Sequence, residues 1–127
     1  MSKTDFLENA FLNHTLRNTP YTSPTTVYVG LFTAAPGETG GGTEVAGNSY
    51  ARQACTFGAP SAGTLSNSAD VTFPQATGNW GTITHFSIFD DVAAGNMLYY
   101  GALTTSKVIN TGDQLKFATN GITVTED

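Results

Sequence analysis

The hydrophobic and polar positions of the chain follow a helical pattern near the start and strand patterns after it. Phe6, Leu7, Ala10 and Phe11 recur at helical spacing, Thr4 or Asp5 can cap the start, and Asn-Thr-Pro at 18–20 ends the pattern. This predicts one amphipathic helix of about three turns. Because a helix of that length is marginal in water on its own, it must dock on its own sheet or on a neighbouring subunit.

The stretch at residues 80–91 is predicted to contain the central strand. With a period of two residues, Phe86 and Ile88 lie on one face, and Ile83 and Phe89 lie on the other. Since both faces carry large apolar side chains, we expect this strand to be covered on two sides, as in a sandwich or barrel.

Shorter strands are predicted along the rest of the chain. They are expected at residues 25–33, 48–59, around 65, 71–73, 97–103, 108–109, 115–117 and 122–124. Residues 90–96 are typical of a hairpin connection, and Asn120-Gly121 predicts a type I′ hairpin. Together these patterns predict an all-β fold: a single-domain β-sandwich or jelly-roll-like barrel of about seven or eight short, mostly antiparallel strands with one N-terminal amphipathic helix.

The same patterns divide the chain into an N-terminal helix and arm at residues 1–19 and a β-sandwich domain at residues 20–127. Within the sandwich domain, residues 34–47 are rich in glycine and lack a hydrophobic period, so we expect a flexible surface loop. It is not a phosphate-binding loop, because the characteristic lysine is missing and Glu38 and Glu44 would repel the ligand.

Charge and composition narrow the possible partners. The net charge is −5, and the Lys and Arg residues are scattered along the chain, which argues against nucleic acid and anionic membranes as partners. No apolar run reaches the length of a membrane span, and the start lacks a signal-peptide pattern, so assembly in a host cytoplasm is expected. Cys55 is the single cysteine, which excludes an intrachain disulfide.

No enzyme motif emerges from the reactive side chains. Cys55 and His85 are a conceivable nucleophile and base, but Cys55 sits inside a strand pattern and no third orienting residue is apparent. A glycosidase would need two facing carboxylates, and the sequence does not place Glu38, Glu44 or Asp70 in that way. We therefore expect no catalytic site and no cofactor.

Metal binding has only weak candidates. His14 and His85 have no second ligand at metal-binding spacing. Calcium is an alternative at Asp90-Asp91 with Asn96, or at Asn110 with Asp113. Neither follows EF-hand spacing, and such side chains commonly bond their own turn. The prediction is therefore that the protein holds no metal.

The chain resembles a family of small tailed-bacteriophage structural proteins, usually labelled tail fibre or virion structural proteins. The resemblance runs nearly from end to end. It is carried by TVYVGLFT at 26–33, PGETG at 36–40, EV at 44–45, YARQ at 50–53, VTFP at 71–74, GNWGTITH at 78–85 and GALT at 101–104. It implies a virion protein without catalytic residues.

Two structural roles follow from this resemblance. A fibre shaft needs length or a repeat, and the chain has neither, so the leading prediction is a capsid decoration or cement subunit that forms homotrimers on the major capsid protein. The alternative is a tail-fibre, receptor-binding or adaptor component that binds tail proteins or host-surface glycans. Aromatic side chains commonly anchor such contacts. The candidate interface residues are Phe6, Phe11, Tyr21, Tyr50, Tyr99 and Tyr100.

Overall fold

Six antiparallel strands form the main sheet of the structure, a computed structural model that describes residues 1–126. Two further sheets have two strands each. The described residues contain one helix, α1 (Asp5–Leu16), and the following ten strands: β1 (Ser2–Lys3), β2 (Val27–Ala34), β3 (Thr43–Glu44), β4 (Gln53–Cys55), β5 (Thr64–Ser66), β6 (Val71–Thr72), β7 (Gly81–Phe89), β8 (Met97–Ile109), β9 (Lys116–Phe117) and β10 (Thr123–Thr125).

The main sheet has the order β1-β8-β7-β2-β3, with β4 also pairing with β2. Strand β7 lies between β8 and β2, and Phe86 is opposite Leu31. Ile83 and Ile88 of β7 both belong to the larger core cluster, whereas Phe89 packs with Phe32 and Met97 in a second cluster. Ile83 therefore does not join the cluster of Phe89, with which the period of two residues had grouped it. The prediction of a central strand covered on both faces is confirmed.

The two small sheets, β5–β10 and β6–β9, contribute to the larger core, which includes Val71 and Val124. The fully buried Asn67 organises the segments between them. Its amide nitrogen donates to the carbonyls of Ala69 and Ala118, and its side-chain oxygen accepts the N–H of Ile122. A buried polar side chain with these three hydrogen bonds fixes the path of the chain at little cost.

Helix α1 begins where the sequence predicted and packs on its own sheet. The buried Thr4 is the N-cap, and its hydroxyl accepts the N–H of Leu7 while donating to the carbonyl of Met97 at 2.7 Å. Leu7 is the buried residue of the helix, which contacts β1 and β8. One side chain therefore caps the helix and ties it to the sheet.

The all-β class and the N-terminal helix are confirmed, and three details of the strand prediction are wrong. The strand predicted at 48–59 is reduced to β4, and it cannot begin at Asn48 or Ser49 because their φ angles are 55° and 69°, outside the strand region. Residues 108–109 belong to β8. The chain also has ten strands among residues 1–126, because several are only two residues long.

The type I′ hairpin predicted at Asn120-Gly121 is wrong. A type I′ turn requires positive φ at both central residues, and only Asn120 has it, at 65°. Strand β9 pairs with β6, and β10 pairs with β5. The bonds from Asn67 direct these two strands to different partners.

The Gly-rich segment at 34–47 contains more structure than the sequence indicated. It includes β3, which pairs with β2, and the buried residues Pro36 and Val45. Its flexibility stays a prediction, as do the boundaries of the two predicted regions. The last residue of the predicted sandwich domain, 127, lies outside the described residues.

Candidate assembly surface

Three of the predicted interface residues, Phe6, Phe11 and Tyr21, form one aromatic cluster between α1 and the arm that follows it. The Tyr21 ring is edge-on to both phenylalanines, with ring centroids 6.4 Å apart in each case. The opposite side of the helix leaves Leu12 and Leu16 exposed, at 55% and 77%. The cluster therefore holds the arm against the helix, and its role as an interface stays a prediction.

The predicted residues Tyr99 and Tyr100 each donate a hydrogen bond to a carboxylate. Tyr99 donates to Glu126 at 2.8 Å, and Glu126 also accepts from Lys3 at 2.7 Å. Tyr100 donates to Glu38 in the Gly-rich segment. Burial first, and then the bond to Glu126, raises the pKa of Tyr99. These two phenols therefore connect distant segments within the chain.

Tyr50, the last predicted interface residue, packs inside the molecule. Its ring stacks on Phe73 and is edge-on to Trp80, and its hydroxyl donates to Glu44 at 2.6 Å while accepting the N–H of Leu31. Burial, followed by the hydrogen bond to Glu44, raises the pKa of Tyr50. The Tyr50 ring is therefore part of the aromatic packing of the core.

Arg52 connects three segments near one end of the sheet. Its guanidinium forms two hydrogen bonds with the Glu44 carboxylate, at 2.9 and 2.8 Å, and lies 3.4 Å from the centre of the Phe89 ring. It also donates to the carbonyls of Asp91 and Ala94. Bidentate pairing and stacking of this kind suit arginine in particular. Sequence reasoning missed this role of Arg52. The available signal was that Arg52 lies on the same predicted strand face as Tyr50, in a chain with only five Lys and Arg residues.

The connection between β7 and β8, residues 90–96, is called the tip below. Asp90 accepts the N–H and the side-chain amide of Asn96, at 2.7 and 3.1 Å, and Asp91 accepts the N–H of Val92. Both aspartates therefore bond their own turn, which was the structural alternative to calcium binding there. Arg52 holds the backbone of the tip by donating a hydrogen bond to the carbonyl of Asp91. The neighbouring side chain of Val92 is 49% exposed.

The outer edge of β8 has no neighbouring strand beyond Tyr100 among residues 1–126. Strand β1 pairs with Tyr99 and Tyr100 alone, and residues 104–108 are all exposed. Between the pairs Ile83–Lys107 and His85–Ala102, β7 advances two residues and β8 advances five, so β8 contains a bulge of three extra residues. Bulges of this kind interrupt pairing at sheet edges.

A groove of about 470 Å³ runs along this edge and is called the edge groove below. It is lined by Met1, Phe86, Gly101, Ala102, Leu103, Thr104, Thr105, Lys107, Leu115, Lys116, Phe117, Gly121 and Thr123. Its floor combines aromatic and aliphatic side chains, and its charged side chains are both lysines. A mixed apolar and basic lining is suited to an acidic protein segment.

The two lysines of the edge groove are the least neutralised of the lysines. Lys3 and Arg52 form ion pairs at 2.7 and 2.8 Å. Lys116 is 3.6 Å from Asp70 across exposed surface, and Lys107 has no carboxylate of residues 1–126 within 4.0 Å. A chain with a net charge of −5 therefore keeps uncompensated positive charge in this groove.

The two candidates for a nucleophile and its base lie apart. Cys55 is opposite Val27 on β2, and His85 is opposite Phe32, five residues further along the same strand. That spacing corresponds to about 16 Å. Burial raises the pKa of the Cys55 thiol to about 11, which disfavours the reactive thiolate. His85 instead shares a hydrogen bond of 2.8 Å with Thr84.

The remaining acidic candidates occupy different places. Glu44 pairs with Arg52, whereas Asp70 accepts the N–H and hydroxyl of Thr119, bonds that together with Lys116 lower the pKa of this carboxyl. At the other calcium candidate, Asp113 accepts the N–H of Asn110. These carboxylates therefore have intrachain partners.

A group of three exposed carboxylates lies at the start of α1. Ligand atoms of Asp5, Glu8 and Glu38 are all within 4.8 Å of one another. The acids in the first turn also favour the positive end of the helix dipole. Within residues 1–126, the structure has no helix with the length and hydrophobicity required to cross a membrane.

The fold is that of a small, mostly β protein with one N-terminal helix. Residues 2–125 match the family described as podophage GP4 fiber I protein gp80, so the chain belongs to that family and is a virion structural protein of a bacteriophage. A comparison with curated proteins gives no match.

Proposed function

We propose that the protein is a non-enzymatic subunit of a podophage tail fibre and that it acts through protein–protein contacts. The observation that carries this proposal is the family match, which covers nearly the whole described chain and is to a fibre protein. Members of one family that match over a full domain share their architecture, and a fibre subunit needs contact surfaces rather than a reactive site.

The geometry supports contact rather than chemistry. Cys55 is buried and distant from His85, while Glu44 is engaged by Arg52 and Tyr50. By contrast, the tip, the edge groove and the outer leucines of α1 expose apolar side chains next to charged ones. Exposed apolar groups in polar surroundings are typical of protein interaction sites. The proposed function uses no cofactor and no metal.

The fibre role replaces capsid decoration as our preferred role. Capsid decoration, the homotrimer and binding to the major capsid protein or to host glycans stay predictions. A domain without internal repeats is best suited to an end, a joint or an adaptor of a fibre, since a shaft is commonly built from repeats. In these positions a symmetric oligomer of the chain would attach to longer fibre proteins.

Localisation on intact virions tests this proposal. Particles are labelled with antibodies against the protein and imaged by electron microscopy, with antibodies against the major capsid protein as the control. We expect label on the tail appendages alone. Label spread over the capsid would establish the decoration role instead, and a virion without label at any site would contradict both structural roles.

A further inference from the structure

We infer that copies of this chain associate through a contact in which the tip of one copy enters the edge groove of the next. This inference deepens the proposed function, on which it rests for its biological use. The contact itself is a property of the purified chain. Failure of the contact in solution and failure to find the protein on the fibre are therefore separate results.

The tip has the properties of an anchor. Val92 is 49% exposed and sits beside the acidic side chain of Asp91. The backbone beneath it is held by Arg52, which donates to the carbonyls of Asp91 and Ala94, and by the bonds between Asp90 and Asn96. A loop that is already ordered loses little conformational entropy when it binds, so this tip is prepared for a partner.

The edge groove has the complementary properties. Its apolar floor includes Phe86, Leu103 and Phe117, and its rim carries Lys107 and Lys116. The volume of about 470 Å³ exceeds what one valine side chain requires, so the groove has room for Val92 with its flanking backbone. An acidic, apolar segment is therefore the chemistry that matches this lining.

A second copy is the occupant that these charges favour. The chain carries ten acidic and five basic side chains, so most of its surface would be repelled by another copy. The edge groove combines positive charge with an apolar lining, since Lys107 has no carboxylate of residues 1–126 within 4.0 Å, whereas Arg17, which also forms no ion pair, lies on the helix and bonds to Asn13. The tip offers that missing negative charge together with an exposed aliphatic side chain.

The contact has to be intermolecular. On β7, Phe89 pairs with Met97 next to the tip, whereas Ile83 pairs with Lys107, six residues away. Six strand residues span about 20 Å, which the short tip of the same copy does not bridge. Because the two surfaces differ, copies associate head to tail, and such contacts close into rings when the rotation between copies permits.

The bulge in β8 is consistent with this mode of association. The three extra residues and Lys107 hinder the direct addition of a strand along the free edge. A protein that avoids open-ended strand pairing but still needs to associate can use a side-chain groove beside the edge. In this arrangement Thr104 and Thr105 flank the incoming tip and supply hydroxyl groups at its rim.

Charge exchange between the two surfaces tests the inference on the purified full chain. Association is measured by sedimentation at several concentrations for Asp91→Lys, Lys107→Glu and the double variant, in low salt and in high salt. We expect each single change to weaken association at least about tenfold, and the double variant to recover to within about threefold of the unchanged chain. High salt should weaken the association of the unchanged chain.

Two matched controls accompany these variants. Glu8→Lys and Arg17→Glu reverse exposed charges outside the tip and the edge groove and should leave association unchanged, while circular dichroism verifies folding in every case. A chain that remains monomeric at millimolar concentration would overturn the inference. So would single variants that associate normally, or a double variant that folds but does not recover.

Discussion

The carboxylate of Glu44 lies so close to Gly30 that a side chain at that position would force its neighbours to shift. A Cβ placed on Gly30 would be 3.0 Å from Glu44 Oε2 and 3.0 Å from the Phe89 ring. Glycine therefore permits the Gly-rich segment to close over the main sheet, and it allows Arg52 to reach both the segment and the tip.

We expect Gly30→Ala to lower the free energy of unfolding by about 1–3 kcal/mol, because the methyl group forces the buried ion pair to move. Urea denaturation measures the change. Gly58→Ala is the matched control, since its Cβ would meet nothing closer than the Ser66 carbonyl at 3.8 Å. Equal effects of the two substitutions would contradict this account of Gly30.

Arg52→Met should lower the free energy of unfolding by about 3 kcal/mol, because it leaves the partly buried Glu44 carboxylate without its partner. Arg52→Lys should have an intermediate effect, since lysine keeps the positive charge but cannot form the two parallel hydrogen bonds with the Glu44 carboxylate. Arg17→Met, at an exposed site, should cost less than about 0.5 kcal/mol. If Arg52→Met costs as little as that control, the ion pair does not stabilise the fold.

Cys55→Ser should reduce stability by about 1 kcal/mol at neutral pH and leave assembly unchanged, because the thiol packs in the core of its own chain and lies outside the tip and the edge groove. Burial raises the pKa of the thiol from 9.0 to about 11. The unfolded chain therefore loses this proton at a lower pH than the folded chain does. The stability that the thiol contributes is present below pH 9 and is lost as the pH rises towards 11.

The stability difference between the unchanged chain and Cys55→Ser should accordingly narrow between pH 9 and pH 11. Chemical denaturation at a series of pH values measures this gap directly. The tyrosines, whose raised pKa values affect both proteins alike, cancel in the comparison. A gap that stays constant over this range would mean that the thiol is solvated in the folded state.

Glu126 joins the two ends of the described chain by accepting hydrogen bonds from Lys3 and Tyr99. Burial alone would raise the pKa of Glu126, but these bonds and the charge of Lys3 together lower it below the usual 4.5. The contribution of Glu126 to stability is therefore present above pH 4.5 and is lost as the pH falls through the lowered pKa.

Glu126→Gln should thus cost less than about 1 kcal/mol at pH 7, because the ion pair is largely exposed, and nothing in strong acid. Stability curves for Lys3→Met, Glu126→Gln and the double variant separate the pairwise energy from the single effects. Additive losses at pH 7 would show that the two side chains do not interact.

The sequence predicted the features that depend on local pattern. The helix, its cap at Thr4 and the two-faced strand β7 follow from hydrophobic spacing and capping chemistry, which neighbouring residues determine. The hairpin between β7 and β8 was likewise visible in its turn residues. These elements can be predicted without knowing which distant residues are in contact.

The features that the sequence did not reveal depend on contacts between distant residues. The pairing of β9 with β6 is accompanied by hydrogen bonds of Asn67 with Ala118 and Ile122, which are far along the chain from it. The positive φ angles at Asn48 and Ser49 exclude the first two residues of a predicted strand whose side-chain pattern looked regular. Periodicity carries no information about such long-range bonds.

The candidate surfaces also combine features that the local sequence indicates with features that depend on distant contacts. The aromatic interface candidates stay a prediction, and what the sequence could not show is their intrachain contacts: Tyr50 stacks in the core, and Tyr99 and Tyr100 bond to carboxylates of their own chain. The edge groove needed the structure, because Phe86, Lys107 and Phe117 come together only through the sheet order.

The number of copies per virion tests the central claim, a structural role in the fibre, most directly. Quantitative mass spectrometry of purified particles compares peptides of this protein with those of the major capsid protein. The account predicts a small, fixed number of copies, consistent with a few symmetric fibres on one tail. Hundreds of copies, as in a capsid coat, or the absence of the protein from purified virions would contradict it.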